Sequence, residues 1–276
     1  MKNSQNGVEI SPWDSKIEYK LREQSEWDAI ASAVREKDNV RLDSLLIKRA
    51  IDYSNLKFDG KRVLDVGCGR GREAEEISKA GGYVVGLDIS TGQLEAFRRY
   101  SLSIFEKDCH FVLGDGERLP FPDDSFDLSF IFSSLHHLTD PYRCISEMIR
   151  VTKESIIIVD SMNPFITRVL TKIGLFIEED IGTNPNRLDE EHLKDILEDL
   201  ELDYKILPWF YYAPHTVHFI VNKYEGFYKI VSRILSSFNI IVSRFDLLGG
   251  IFGNYGIIVI YKHQYEQKKT IPGGWS

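Results

Sequence analysis

The residues best suited to chemistry lie in the run Asp65-Val66-Gly67-Cys68-Gly69-Arg70-Gly71 and in Asp88, 17 residues after Gly71. Glycines at a strand-to-helix turn let the chain reverse tightly and bring backbone N–H groups against a ligand. An acid ending the next strand accepts hydrogen bonds from ribose hydroxyls. Together these features predict an adenosine-bearing ligand across the carboxyl ends of two adjacent strands. A dinucleotide fingerprint reads G-x-G-x-x-G, whereas here Gly71 comes one residue early and Ala74 is not glycine. Asp65 would repel a pyrophosphate and attract an α-amino group. The ligand expected is therefore a nucleoside that carries an amino acid, and a nicotinamide enzyme is disfavoured.

These residues need a sheet to hold them. Short apolar runs at Arg62–Val66, Tyr83–Asp88, His110–Leu113, Phe126–Phe132 and Ser155–Asp160 alternate with helical stretches. One helix follows Gly71, one is opened by Ser90 with Gln93 three residues on as a capping box, and one spans Pro141–Thr152. Strands of this kind indicate an α/β fold whose mostly parallel sheet is covered on both faces. Ahead of it, residues 13–53 read as helices. The apolar positions there are Trp27, Ile30, Ala31 and Val34, then Leu42, Leu45, Leu46 and Ala50. Beyond it come a helix marked by Leu193, Ile196, Leu197 and Leu200, and strands at Tyr204–Trp209 and Gly256–Tyr261. Stretches 161–187 and 210–255 do not fit a minimal alternating fold. They are expected to be additions over the ligand edge of one single domain spanning residues 1–276.

Four segments carry a family resemblance: Val63–Gly71, Asp88, Gly114-Asp115-Gly116-Glu117-Arg118-Leu119-Pro120-Phe121, and Phe126-Asp127-Leu128 through His136-His137. They resemble the class I S-adenosylmethionine-dependent methyltransferases, nearest the subgroup of quinone-biosynthesis and small-molecule methyltransferases. The resemblance covers residues 55–160 and is much weaker outside them. It implies a Rossmann-like, doubly wound seven-stranded sheet with the last strand antiparallel, the runs 204–209 and 256–261 supplying the final two strands. It also implies S-adenosylmethionine as cofactor and S-adenosylhomocysteine as product. Asp65, Gly67, Gly69 and Gly71, with Cys68 in the same turn, would hold the methionine part. Asp88 would take the ribose hydroxyls and Ile89 would flank the adenine. Asp115, with Gly116 and Glu117, would read the adenine amino edge, and the Ser133 backbone would pass the methionine portion. The family's usual Gly-Gly turn before the fifth strand is replaced by Arg150-Val151-Thr152-Lys153-Glu154-Ser155.

Methyl transfer is an in-line displacement in which positioning supplies much of the rate, and a base is needed only for a protonated nucleophile. His136 and His137, just past the fourth strand, are the candidates for proton transfer; the alternative is that they cap the loop. Tyr211, Tyr212 and His215 lie in an aromatic segment that lines a substrate pocket or belongs to the core. His215 and His218 form an H-x-x-H with no nearby cysteine, so no metal site is expected. The stripe Phe227–Val242 reads as core, lid, dimer face or membrane-surface helix. With the second stripe Phe165–Ile173 it points to an apolar or amphiphilic small-molecule acceptor.

The composition bounds the alternatives. Across 276 residues, Lys+Arg 34 against Asp+Glu 42 gives a net charge of −8, so nucleic acid is an unlikely partner. Cys68, Cys109 and Cys144 are odd in number and widely spaced, which suits a reducing, cytoplasmic setting. No transmembrane segment is expected, and a homodimer remains open. The expected function is methylation of a small molecule; the alternative is action on a protein or RNA, or a non-catalytic cofactor-binding subunit. The residues after the fourth strand, Phe132-Ser133-Ser134-Leu135, lack the Asn/Asp-Pro-Pro-aromatic pattern that would favour amino-group methylation of a base or a glutamine.

Overall fold

The computed structural model describes residues 12–33, 40–104, 109–162, 188–209 and 255–262. Two helices, α1 (Pro12–Ala33) and α2 (Val40–Ser54), precede β1 (Arg62–Val66), α3 (Arg72–Lys79), β2 (Tyr83–Asp88), α4 (Thr91–Ile104) and β3 (His110–Leu113). Then come β4 (Phe126–Phe132), a 3-10 turn at Leu135–His137, α5 (Pro141–Val151), β5 (Thr152–Ser161), α6 (Glu190–Asp199), β6 (Asp203–Trp209) and β7 (Tyr255–Tyr261). The seven strands form one sheet in the order β3-β2-β1-β4-β5-β7-β6. All neighbours among β1 to β5 are parallel, and β7 runs antiparallel to both β5 and β6. The fold class, the strand segments and the antiparallel last strand are as the sequence led one to expect.

Period-two alternation along the strands sorts side chains to two cores. Val63, Leu128, Phe130, Ile157, Val159, Ile257 and Val259 face α2, α3 and Phe97 of α4. Leu64, Ile131, Ile156, Ile158, Ile258 and Ile260 face α5 and α6, where Ile145, Met148, Leu193 and Leu197 meet them. Strands apolar on both faces are those of a sheet with helices on each side.

Three local expectations need correction. On α2 the buried face is Leu46, Ile47 and Ala50, while Leu45 is exposed, because the apolar stripe sits one position round the helix from the expected one. The helix–strand junction at 150–155 has no turn at all: α5 ends at Val151 and β5 begins at Thr152. Arg150 anchors this junction by donating to the carbonyls of Phe121 and Leu119, and Ser129 and Thr152 hydroxyls bond each other beneath it. The capping box at α4 is half made. The Gln93 N–H donates to Ser90 Oγ at 3.0 Å, but the Gln93 side chain turns to the Trp27 carbonyl of α1 instead of closing back on Ser90.

The two added stretches fall largely outside the described residues, as do the stripes Phe165–Ile173 and Phe227–Val242. Their anchors do not. Met162 bridges Leu188 just past β5, and Trp209 pairs with Tyr255 where β6 ends and β7 begins. Because Tyr255 also pairs with Ser161 at the end of β5, all four anchors stand at the carboxyl edge of the parallel strands. Among the described residues no helix is long and apolar enough to cross a membrane.

The turn after β1 sets the sharpest packing constraint. Gly71 has φ +84°, and a Cβ there would lie 2.1 Å from the Phe97 ring. Gly71→Ala combines a left-handed backbone with overpacking and is expected to cost roughly 2–5 kcal/mol. Urea denaturation of the two proteins should show a lower midpoint at similar slope.

Candidate cofactor site

The glycine turn is closed on itself. Gly67 and Cys68 N–H groups both donate to the Leu87 carbonyl, Gly71 N–H donates to the Cys68 carbonyl, and Gly69 N–H donates to Asp88 Oδ2 at 2.9 Å. The expectation that these N–H groups face a ligand is therefore corrected, since four of them are consumed inside the protein. Such a turn makes a poor phosphate cradle, which relies on convergent unsatisfied N–H groups. It still allows close approach, because a Cβ added at Gly69 would meet nothing within 4 Å. The Cys68 side chain is buried toward Gly86, so only its backbone contributes to the turn.

Asp88 ties the turn to the next loop. Its Oδ1 accepts from Ser90 N–H at 2.8 Å while Oδ2 holds Gly69. Burial pushes its carboxyl up, opposed by these N–H donors. Ile89 is half-buried beside it.

Asp65 stands apart. It is fully buried, and neither carboxylate oxygen has a hydrogen-bond partner among the described residues. Burial, then the charges of Glu73 and Asp88, raise its carboxyl well above the usual range. An unpaired buried carboxylate is costly unless a cation completes it. The α-ammonium group of an amino-acid-bearing nucleoside is such a cation, so the residues present fit that ligand.

Asp115, Gly116 and Glu117 form the third corner. Asp115 Oδ1 accepts from Glu117 N–H at 2.9 Å, and its other oxygen is ion-paired with Lys20 of α1. Gly116 is buried against Val66 and Cys144. Glu117 is buried, takes Lys20 at 3.0 Å and accepts from Thr139 N–H at 2.8 Å. Burial alone would lower the Lys20 pKa, but Asp115 and Glu117 outweigh it and raise it. The geometry makes Glu117 a brace for the loop before α5 and leaves Asp115 facing a cation from outside the parallel-sheet core.

At the other end, Ser133 has φ +50°, an unusual conformation for a residue with a Cβ. Its hydroxyl bonds the Tyr255 hydroxyl at 2.8 Å. The neighbouring Ser134 makes the close contact with the glycine turn, through the Gly67 carbonyl at 3.2 Å. His136 Nδ1 lies 2.6 Å from Asp160 Oδ1. Asp160 is fully buried at the end of β5 and also accepts from the N–H groups of Ser134, Leu135 and Ser161. Burial would raise its carboxyl, yet His136 and these donors hold it below the ordinary value. The His137 ring stacks at 4.0 Å on His136 and meets the edge of Trp27 at 5.0 Å. His136 is thus the oriented member of the pair and His137 the packed one. Tyr211, Tyr212 and His215 lie outside the described residues; among those described, no group of acids, histidines and cysteines has metal-binding geometry.

Several site residues escaped the sequence reading. Asp160 obeys the same strand-end rule as Asp88 and could have been found by it. Lys20 and Asp28 could not, because nothing local in α1 marks them. Asp28 accepts from Ser90 Oγ and from Gly92 N–H, capping α4 from a distant helix.

Residues 64–159 match the methyltransferase domain family. A demethylmenaquinone methyltransferase of Paenarthrobacter aurescens (strain TC1) is 31 % identical over 169 residues, covering 54 % of this chain and 64 % of that protein. The cycloartenol-C-24-methyltransferase of Arabidopsis thaliana is 38 % identical over 96 residues, covering 34 % of this chain and 29 % of that protein. The chain thus spans less than two thirds of the length of each of these relatives. Among solved structures, the methyltransferase in complex with the Trm112 activator of Haloferax volcanii aligns with TM-score 0.59 at 19 % identity, covering 86 % of this chain and 96 % of that one. The cyclase SpnF aligns with TM-score 0.55 at 18 % identity, covering 94 % and 99 %. The fold is the Rossmann-like fold of class I methyltransferases. The family match lies within residues 64–159, and the relatives this stretch resembles include a demethylmenaquinone methyltransferase.

The raised Asp65 carboxyl has a sign that can be measured. A group protonated more readily in the folded state loses stabilisation as pH rises from its unfolded to its folded pKa. Asp65→Asn removes that loss, so its stability relative to the parent protein should improve from about pH 5 to about pH 8, by at most about 1.4 kcal/mol per pH unit. Denaturation without ligand at the two pH values measures this, and a pH-independent difference would mean that Asp65 is paired.

Proposed function

We propose that the chain is an enzyme that transfers a methyl group from S-adenosylmethionine to a small apolar or amphiphilic acceptor. The observation that carries this reading is the buried, unpartnered Asp65 carboxylate beside the open face of Gly69, a place suited to the amino-acid half of that cofactor. The bound cofactor supplies a methyl group activated on a sulfonium. Asp65 attracts the ammonium group, and Asp88, already holding the glycine turn, offers remaining lone pairs to the ribose. Asp115, held by Lys20 and the Glu117 N–H, borders the place for the adenine with Gly116, and Ile89 flanks the ring.

His136 is the proton acceptor in this reading. Asp160 fixes its Nδ1 and so orients the ring, and the imidazole would take a proton from the acceptor as the new bond forms. Both added stretches are anchored at the same edge, which favours their shaping the acceptor pocket. Tyr211, Tyr212 and His215 are candidates for that wall. The first-matched relatives act on a quinone precursor and a sterol by name, which supports a hydrophobic acceptor over a polynucleotide or protein. A net charge of −8 argues the same way.

Calorimetry should find binding of S-adenosylhomocysteine and none of NAD. Labelled S-adenosylmethionine, offered demethylated quinols, sterols, tRNA and protein in parallel, should label a lipid-extractable product. Label confined to tRNA or protein would overturn the acceptor assignment. On the accepted substrate, His136→Ala should slow transfer about 10²–10⁴-fold with S-adenosylhomocysteine affinity essentially unchanged. Unaltered turnover would reduce His136 to a loop-holding residue.

A further inference from the structure

Residues 134–140, which follow β4, are strung between two buried carboxylates. At the near end Asp160, from the end of β5, accepts from the N–H groups of Ser134 at 2.9 Å and Leu135 at 2.7 Å, and holds His136 Nδ1 at 2.6 Å. At the far end Glu117, 5 % exposed, accepts through Oε1 from the N–H groups of Thr139 at 2.8 Å and Asp140 at 3.2 Å. Its Oε2 is left to Lys20 of α1 at 3.0 Å, so the two tasks fall to separate oxygens. The Glu117 main chain is itself held from α5, because Arg143 Nε donates to its carbonyl at 3.0 Å. Between these anchors lies the 3-10 turn Leu135–His137, closed by the Leu138 N–H on the Leu135 carbonyl at 3.0 Å. From outside, Tyr19 of α1 donates to the His137 carbonyl at 3.2 Å, and the His137 ring stacks on His136.

The Asp160 bonds fix the start of this segment and one ring nitrogen, but the course of the turn also depends on what holds residues 139 and 140. We propose that Glu117 is a positioning residue for His136: its Oε1 fixes the far end of the turn, and with it the place where the imidazole meets an acceptor. This rests on reading His136 as the proton acceptor. It gives Glu117 a task different from the adenine contact that the family resemblance implies. The adenine end does not depend on the Glu117 carboxylate for this bond, since Asp115 takes the backbone N–H of Glu117. Removing that carboxylate deprives two N–H groups of a charge-assisted partner. A misplacement of about 1 Å in a reacting group can slow a reaction about 10²-fold, so a loosened turn is felt in the chemical step.

The experiment compares Glu117→Ala and Glu117→Gln with the parent in the whole chain. NMR of ring-labelled histidine, assigned through His136→Ala, follows the His136 imidazole through its titration. Glu117→Ala should move the His136 ring signals and lower their titration midpoint, because the ring is held less closely to the Asp160 carboxylate. With the quinol or sterol that accepts label, its kcat should fall about 10–10²-fold, while KM for S-adenosylmethionine and affinity for S-adenosylhomocysteine stay essentially at the parent's values. Glu117→Gln keeps an acceptor oxygen for the two N–H groups and should recover most of both losses. If Glu117→Ala fails to fold, Glu117→Asp, which keeps the charge but withdraws the oxygens by one methylene, should show the same changes in smaller measure. A loss of S-adenosylhomocysteine affinity with the His136 titration unmoved would overturn the proposal and return Glu117 to the adenine edge. A lower stability with parent-like titration and turnover would overturn it too, leaving Glu117 a structural residue. Parent-like turnover in His136→Ala would remove the proton-transfer reading, and the ring titration then decides alone whether Glu117 sets the turn.

Discussion

The carboxyl edge of a parallel sheet is crowded with loop N–H groups that no strand can satisfy. In this chain acids do that work. Asp88 gathers Gly69 and Ser90, Asp160 gathers Ser134, Leu135 and Ser161, Asp115 takes Glu117, and Glu117 takes Thr139. The Asp88 bonds and those of Asp160 to Ser134 and Leu135 link strand ends to neighbouring loops, and the Glu117 bond links one loop to the next, so these loops are set by one another as well as by the sheet. Charge-assisted hydrogen bonds of this type are among the stronger polar contacts in proteins. Asp65 is the exception, a carboxylate in the same edge with no N–H to take among the described residues, and the proposed ligand site centres on it.

This arrangement separates positioning from recognition. The acids that accept backbone N–H groups fix geometry, whereas the acids left with unused capacity are turned toward a cation. His136 is drawn into the first group through Asp160. The fold alone would not have decided the matter, since a cyclase shares it at nearly full coverage. What points to a methyl donor is the chemistry of individual side chains at the end of β1.

Much of this was legible in the residues. The strands were, because apolar runs buried on both faces contrast with polar turns, and Asp65, Asp88 and the glycines follow from strand-end chemistry. The α5–β5 junction was not, because nothing local says that a helix can pass into a strand without a turn when Arg150 pins the loop carbonyls. The side-chain destiny of Gln93 was not legible either: a capping box is a local pattern, and α1, 66 residues away in sequence, offers the better partner in the Trp27 carbonyl. The same holds for Lys20 and Asp28, whose partners are all distant. Leu45 shows a milder failure, in which the period was right and the phase was off by one residue.

Helix α1 reaches this edge through polar contacts beside the ring contact of Trp27 with His137. Lys20 grips Asp115 and Glu117, Asp28 holds Ser90 and Gly92, and Tyr19 donates to the His137 carbonyl, while Ile17 and Leu21 remain exposed. The sheet beneath is held by apolar burial, which added salt does not screen. Part of the helix's grip is an ion pair at half-exposed side chains, which salt does screen over a Debye length of about 8 Å at physiological strength. Ionic strength therefore acts on the two layers unequally. It loosens the clasp of α1 on Asp115 and Glu117 while leaving the strands that carry Asp65 and Asp88 in place, so the cover over this edge and the edge itself respond to different solution variables.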